Sequence, residues 1–334
     1  MPFESPQKLA APQKAAKKSD SWLTVRFTAL HMAARAARIT RTSLRVLGNI
    51  RCQFEVLRLM RHRLFAELLP LNPRFVIKFA ADDYLLRGLS VAERKECFLY
   101  HYDRLREALP DTMIRRILHR SISILEIREH HNVYRVTVHL SRPWDKEGEL
   151  SLDLELDGET IYVLSFSIVP GWIVRSEASE VILIARLQGA KGQYKLIRQA
   201  TKVMNDVSPV FLLLASLQGF AEAFGVSEIS GVSGVRQSAY TEERAEIFRN
   251  AYDDFFNDVG AVQGPENLYH CPIPIPEKPL IDVKAGHKLR TKEKRAFKRG
   301  VSEAVRRFFQ RSRRTSAGGV RLEQIFELPV QLEL

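Results

Sequence analysis

The chain has 334 residues, 45% of them apolar and 27% charged, with a formal net charge of +12 at neutral pH. That length and balance exclude a wholly disordered chain and fit a folded protein with one large core or two smaller ones. The charge is polarised: residues 1–67 carry a balance of +9 and residues 284–314 one of +11, leaving −8 elsewhere, so an acidic or neutral body carries two cationic ends suited to polyanionic surfaces.

Residues 1–20 mix Pro, Ala, Lys, Ser and Gln with almost no large apolar side chains and are expected to be a disordered basic tail. They lack the apolar core of a secretory leader, while residues 22–47 are Arg-rich and acid-poor in the manner of an organelle transit peptide. Residues 22–69 read as helical, as two helices or as one long helix changing partners, within a helical region over 21–110. A further helix is expected over 90–109, with Ser90 as N-cap and Glu93 completing a capping box.

From Ile122 the apolar period changes to two. Runs over 122–127, 134–140, 150–156 and 161–168 predict strands, and Asp157-Gly158 between the last two is a hairpin signal. The centre therefore opens as an antiparallel meander. Strand and helix then alternate: strand 181–186, helix 193–204, helix 210–224, strand 227–232, helix 242–259, strand 268–271. The apolar run 210–217, broken by Ser216, is far below the ~20 residues of a membrane span, so no transmembrane segment is expected. The expected class is α+β, a mixed sheet with a meander first and alternating elements afterwards, as a central domain over 111–281 flanked by basic helices. Pro272, Pro274, Pro276 and Pro279 predict an extended strap. Residues 282–334 form the basic C-terminal region, with an amphipathic helix over 292–310 that puts Phe297, Val301, Ala304, Val305 and Phe308 opposite Arg295, Arg299 and Arg306.

Cys52, Cys97 and Cys271 stand far apart with no CxxC, so neither a zinc site nor a disulfide framework is indicated; buried, reduced thiols are expected. Walker A, HExxH, GxSxG and GxGxxG motifs are absent. Gly231-Val232-Ser233-Gly234 approaches a nucleophile elbow, but Val235 stands where glycine is needed, and a hydrogen-bonded loop serine is expected there. Glu129, His130 and His131 read as an exposed turn. The strongest candidate site is Arg186-Leu187-Gln188-Gly189-Ala190-Lys191-Gly192, leaving a strand and entering a helix. Free N–H groups and a positive helix end converge at such a turn and suit a phosphate or carboxylate. The competing reading is a tight turn with no ligand. His101, Asp103, Lys202 and Tyr252 form a second set of polar candidates, although His101 and Asp103 do not share a helical face.

The glycine turn resembles the loop by which GNAT acyltransferases hold the pyrophosphate of acyl-CoA. Arg186 and Gly189 fit that family's pattern, and Lys191 departs from it. The helix, strand, helix and strand that follow are also similar to that fold, which implies acyl-CoA as a donor and an amine or hydroxyl as acceptor. Phe256 stands where those enzymes often carry a proton-donating tyrosine, and Tyr252 lies one turn earlier.

Four ordered blocks resemble the VirK/YbjX proteins of Gram-negative bacteria: His101-Tyr102-Asp103-Arg104-Leu105; the stretch from Leu140 to Leu150 through Trp144, Asp145 and Glu149; Leu187-Gln188-Gly189 with Ala200-Thr201-Lys202; and the stretch from Tyr252 to Gly260. The resemblance implies a role in envelope stress, tolerance of cationic antimicrobial peptides and virulence; without a membrane span or a secretory leader in the sequence, cytoplasmic residence or a peripheral place on the inner membrane is the expectation. The basic ends supply the partner expectation. Arg295, Arg299, Arg306 and Arg307 on an amphipathic helix suit an anionic lipid surface or an acidic partner. The same ends could dock on the protein's own acidic body or bind nucleic acid nonspecifically; no recognition fold points to sequence-specific reading.

Overall fold

The computed structural model describes residues 48–142, 145–315 and 330–332. The expected disordered tail over 1–20, the part of the expected helical stretch 22–69 that lies before residue 48, Pro143-Trp144 and most of the C-terminal tail lie outside the described residues. The chain divides into two compact units, Met1–Gly48 and Asn49–Leu334. The sequence boundaries at 110 and 281 fall inside the second, so the helices before the sheet and the basic helix after it share its core.

Helix α1 (Ile50–Leu59) and the short α2 (Arg63–Ala66) are separated by a turn at 60–62, and a 3-10 turn follows at Phe75–Ala80. Helix α3 (Val91–Ala108) starts where its cap dictates. Ser90 Oγ accepts the Glu93 N–H at 3.2 Å, and the Ser90 N–H donates to Glu93 Oε2 at 2.7 Å, which satisfies two orphan donors reciprocally. A helix absent from the sequence expectation, α4 (Asp111–His119), buries Met113, Ile114, Ile117 and Leu118 and packs against β2 (Asn132–Leu140).

Among the described residues nine strands form one sheet in the order β7-β8-β6-β5-β4-β3-β2-β1-β9. Strands β1 (Ile122–Glu129), β2, β3 (Leu150–Leu156), β4 (Glu159–Pro170) and β5 (Glu180–Gly189) pair antiparallel in succession, the expected meander. Asp157 and Gly158 join β3 to β4 with φ of 51° and 89°, as a tight primed hairpin turn requires. After β5 come α5 (Tyr194–Val203) and α6 (Pro209–Phe224), and β6 (Glu228–Val232) returns parallel to β5. Strand β8 (Leu268–Pro272) runs antiparallel to β6, with β7 (Val262–Gln263) at the edge beyond it. The C-terminal strand β9 (Val330–Leu332) pairs parallel to β1, a pairing without a local sequence signal.

Two aromatic clusters fill the interior. Phe65, Phe75, Phe98 and Tyr102 lock α2, the 3-10 turn and α3 together at centroid separations of 5.0–6.5 Å. Phe166 of β4 meets Phe220 of α6, which with Phe224 meets Phe309 of the basic helix α9 (Lys288–Thr315). Val301, Ala304, Val305, Phe308 and Phe309 of α9 are buried. The helices approach so closely that a Cβ on Gly219 of α6 would stand 2.1 Å from the Ser302 carbonyl oxygen. The apolar face of α9 is thus spent on α6.

Candidate functional site

Strand β5 extends past its expected end at Arg186 to Gly189, so Arg186, Gln188 and Gly189 belong to the strand and the turn proper is 190–193. Its pairing with β6 covers only Ile182 to Ile184, against Ile229 to Gly231. Opposite β4, the register shifts between Ser165 and Phe166, so that Ala185 is an extra residue on β5, a bulge of the kind that bends a strand and re-aims its edge. Beyond it, residues 185–189 have no β6 partner. The Ala190 N–H donates to Ile161 of β4 at 2.9 Å, and strand alternation therefore turns the N–H and C=O of Leu187 and Gly189 away from β4 into the gap.

Tyr252 fills part of that gap. The helix expected over 242–259 is irregular: a 3-10 turn at Glu242–Arg244, α7 (Ala245–Phe248), a π-helical turn at Arg249–Asp253, and α8 (Asp254–Val259). The extra residue of a π turn shifts side chains off the α-helical register, and such turns recur at functional sites. Here it carries Tyr252, 6% exposed, to the β5 edge, where the Leu187 N–H donates to its phenol oxygen at 3.4 Å. Burial, then Glu147, raises the phenol pKa, so it stays protonated. Asp253 on the same turn accepts the Gly234 N–H at the end of β6 with both oxygens at 3.3 Å. Phe256 is not available for chemistry: its ring lies beneath Gly231, where a Cβ would stand 2.2 Å from it. The hydrogen-bonded serine expected at Ser233 is corrected, because its hydroxyl is buried with no hydrogen-bond partner among the described residues.

Arg186 does not point at the turn. Its guanidinium donates to Asp145 at 2.7 Å and to Gln188 at 2.9 Å and lies 3.7 Å from Glu147. Two carboxylates therefore neutralise it, and Glu147 also accepts from Ser238 at 2.7 Å. Lys191 and Gly192 are exposed in the turn, with Gly192 at φ +83°. From Lys191 the cations Lys195, Arg198 and Lys202 recur at helical spacing along α5, all exposed and without an acidic partner among the described residues. Lys202, a surface lysine when read singly, is the last member of this stripe. Lys195 and Arg198 escaped attention although their i, i+4, i+7, i+11 spacing is written in the sequence.

The residues between Asp145 and Glu149 feed two centres. Asp145 and Glu147 hold Arg186, Lys146 pairs with Asp83 at 2.5 Å, and Glu149 enters the core. There its carboxylate accepts from Tyr102 and lies 3.1 Å from Lys78 Nζ, which also donates to the Gly148 carbonyl at 2.8 Å. His101 is fully buried; its Nδ1 accepts the Ile168 N–H at 3.1 Å, and burial, then the Lys78 charge, lowers its pKa to about 3. Asp103, by contrast, is exposed and pairs with Arg106 at 3.3 Å. His101 and Asp103 do not meet, and His101 serves to pin α3 to β4.

On α9, Arg295 and Arg299 share Glu277, with Arg299 at 3.2 Å, while Arg306 and Arg307 share Glu303 at 2.7 Å and 2.5 Å. The buried thiols are unreactive in character: Cys97 is pushed up by desolvation and Cys271 rises to about 11 for the same reason. Among the described residues no helix is long and apolar enough to cross a membrane.

Comparison with known proteins bears on these blocks. A family model described as "Protein of unknown function (DUF535)", the VirK/YbjX family, matches residues 32–297. The chain belongs to this family. A curated Haemophilus influenzae protein, named only as uncharacterized, is 27% identical over 141 residues, which are 41% of this chain and 45% of that protein; the chain thus spans less than half of that relative's length. No solved structure matches. The family resemblance acquires a physical meaning in the fold. Its blocks meet through Tyr102 on Glu149 and Tyr252 on Leu187, and the second block reaches the residue before the third through Asp145 and Glu147 on Arg186.

Proposed function

We propose that this VirK/YbjX family member is an acyl-CoA-dependent acyltransferase that holds its donor along the open edge of β5. The observation that carries the reading is the parting of two parallel strands: β5 and β6 pair over three residues, and a bulged, unpaired β5 edge then faces a gap closed by a protonated tyrosine. A meander, a parallel β5/β6 pair joined by helices and an antiparallel strand after them resemble the GNAT arrangement. An extended pantetheine arm can pair with the outward C=O of Leu187, whose N–H is held by Tyr252, and with the N–H and C=O of Gly189, as an added strand would. The Ala190 and Gln193 N–H groups are taken by Ile161 and Ala190, so the turn offers a pyrophosphate the N–H groups of Lys191 and Gly192, and Lys195, Arg198 and Lys202 extend the positive surface towards a nucleotide phosphate. Arg186 fixes the Asp145 to Glu149 segment beside the gap instead of binding the anion.

In the reaction, an amine or hydroxyl attacks the thioester carbonyl carbon and the C–S bond breaks. The departing thiolate takes the Tyr252 proton, the acceptor's proton passes to solvent, and water reprotonates the phenol. A buried phenol with a raised pKa is in the required protonation state. The setting in envelope stress, antimicrobial-peptide tolerance and virulence rests on the family resemblance, and the place in the cytoplasm or on the inner membrane face rests on the sequence pattern alone. Binding of an anionic surface through α9 is the less favoured reading, since its apolar face lies on α6 and Arg295, Arg299, Arg306 and Arg307 each face a carboxylate.

Calorimetric titration of acetyl-CoA and a long-chain acyl-CoA tests the proposal, with pyrophosphate as control. Micromolar binding is expected that needs the pantetheine arm and weakens in Lys195→Ala/Lys202→Ala. It should vanish in Gly189→Asp, whose Cβ would stand 3.1 Å from Ile197 Cδ1 at the mouth. Binding matched by pyrophosphate alone, or untouched by Gly189→Asp, refutes it.

A further inference from the structure

A cavity of about 1020 Å³ opens between α6, the end of α8, the proline strap at 274–279 and the N-terminal half of α9. That is at the upper end of the roughly 300–1,000 Å³ of small-molecule sites. Its walls are divided by chemistry. Phe211, Leu214 and Ala215 of α6 and Pro274, Ile275 and Pro276 of the strap are apolar, whereas α9 contributes Arg295, Lys298 and Arg299. The acidic lining groups are largely engaged: Glu277 is shared by Arg295 and Arg299, and Glu222 and Glu303 both face Arg306. Asp258 is exposed at the C-terminal end of α8.

Lys298 is the exception among the cations. It makes no hydrogen bond or ion pair among the described residues, and its ammonium lies 6.0 Å from the centroid of the Phe211 ring. Half-burial lowers its pKa, against the opposing pull of the Glu277 carboxylate and with smaller help from Arg295, Arg299 and Lys294. An unpaired ammonium over an aromatic floor, between two arginines that have only one carboxylate between them, leaves a local excess of positive charge at the edge of an apolar trough. An anion seated there would gain a charge-assisted hydrogen bond from Lys298.

We infer that this trough binds a single-chain amphiphile with an anionic head, a fatty-acid anion, whose carboxylate meets Lys298 and whose chain lies on Leu214, Ala215 and the proline strap. The head is selected by the unpaired cation and the chain by the apolar walls, each methylene contributing through its removal from water. The site involves none of the residues at the β5 edge.

Palmitate below its critical micelle concentration, titrated into the full chain by calorimetry, tests this. Saturable binding near one equivalent is expected, with the affinity falling roughly tenfold for each two-carbon shortening of the chain, no binding of acetate, and at least tenfold weaker binding of hexadecanol. Lys298→Gln should weaken palmitate about tenfold, and Ala215→Trp, which fills the trough, should abolish it. Melting curves establish that both variants fold, and Gly189→Asp should leave palmitate affinity unchanged. That last variant separates this site from the acyl-CoA proposal, so that either can fail alone. Absence of saturable binding by the unaltered chain, hexadecanol bound as tightly as palmitate, or an affinity indifferent to both Lys298→Gln and Ala215→Trp overturns the inference.

Discussion

The two centres fed by residues 145–149 differ in what surrounds the same kind of chemistry. Around Glu149, Lys78 and Tyr102 lie on the carboxylate, Tyr84 and His101 are fully buried beside them, and side-chain exposure at the ion pair is 4% or less. Around Arg186, the carboxylates of Asp145 and Glu147 and the guanidinium keep 17–20% of their surface in water, beside an open strand edge. A closed ionic centre has nowhere to place a ligand and can act only by specifying how α3, the 3-10 turn and β4 assemble. The half-open one has an unpaired backbone edge, a protonated phenol and an exposed turn within reach. Burial separates the structural centre from the candidate site even though one short segment supplies both.

Substitutions can break that comparison. The largest effect is expected for Lys78→Met, which strands the Glu149 carboxylate in the core and should cost roughly 3–5 kcal/mol in chemical denaturation; Lys78→Met/Glu149→Gln should recover much of the loss. A pH series probes the same centre. Unfolded His101 takes up a proton below about 6.5, whereas the folded imidazole stays neutral down to about 3. Stability should therefore be full above about 6.5 and fall as the pH drops towards 3, at a limiting slope of about 1.4 kcal/mol per pH unit, and His101→Gln should flatten that profile. Next comes Gly219→Ala, expected to cost about 1–3 kcal/mol by overpacking the α6–α9 contact and to raise hydrogen exchange along α9. Smallest in stability is Arg186→Met. Its partly exposed pairs are worth about 1 kcal/mol or less, yet it should weaken acyl-CoA binding by loosening the 145–149 segment. An Arg186→Met protein as unstable as Lys78→Met would erase the distinction.

Much of the fold was legible. The Ser90 and Glu93 cap, the Asp157-Gly158 turn and the alternation of β1 to β4 are local signals, and local rules decide them. The apolar face of α9 was also legible, though not that α6 would cover it. Helix α4 was written as Met113, Ile114, Ile117 and Leu118 behind Pro110 but is short. The site was less legible because its determinants are distant in sequence. Arg186 meets a carboxylate 41 residues away and Lys78 one 71 residues away, and nothing local distinguishes such an arginine from one awaiting a phosphate. The π turn that carries Tyr252 to β5 has no periodic signature, so the sequence places that phenol one turn too early.

The most direct test of the open-edge account is amide hydrogen exchange at single-residue resolution, with and without saturating acetyl-CoA. The account predicts that the Gly189, Lys191 and Gly192 amides gain protection, while those of α9 do not change. Unchanged exchange at Gly189, Lys191 and Gly192 under saturating ligand would contradict it.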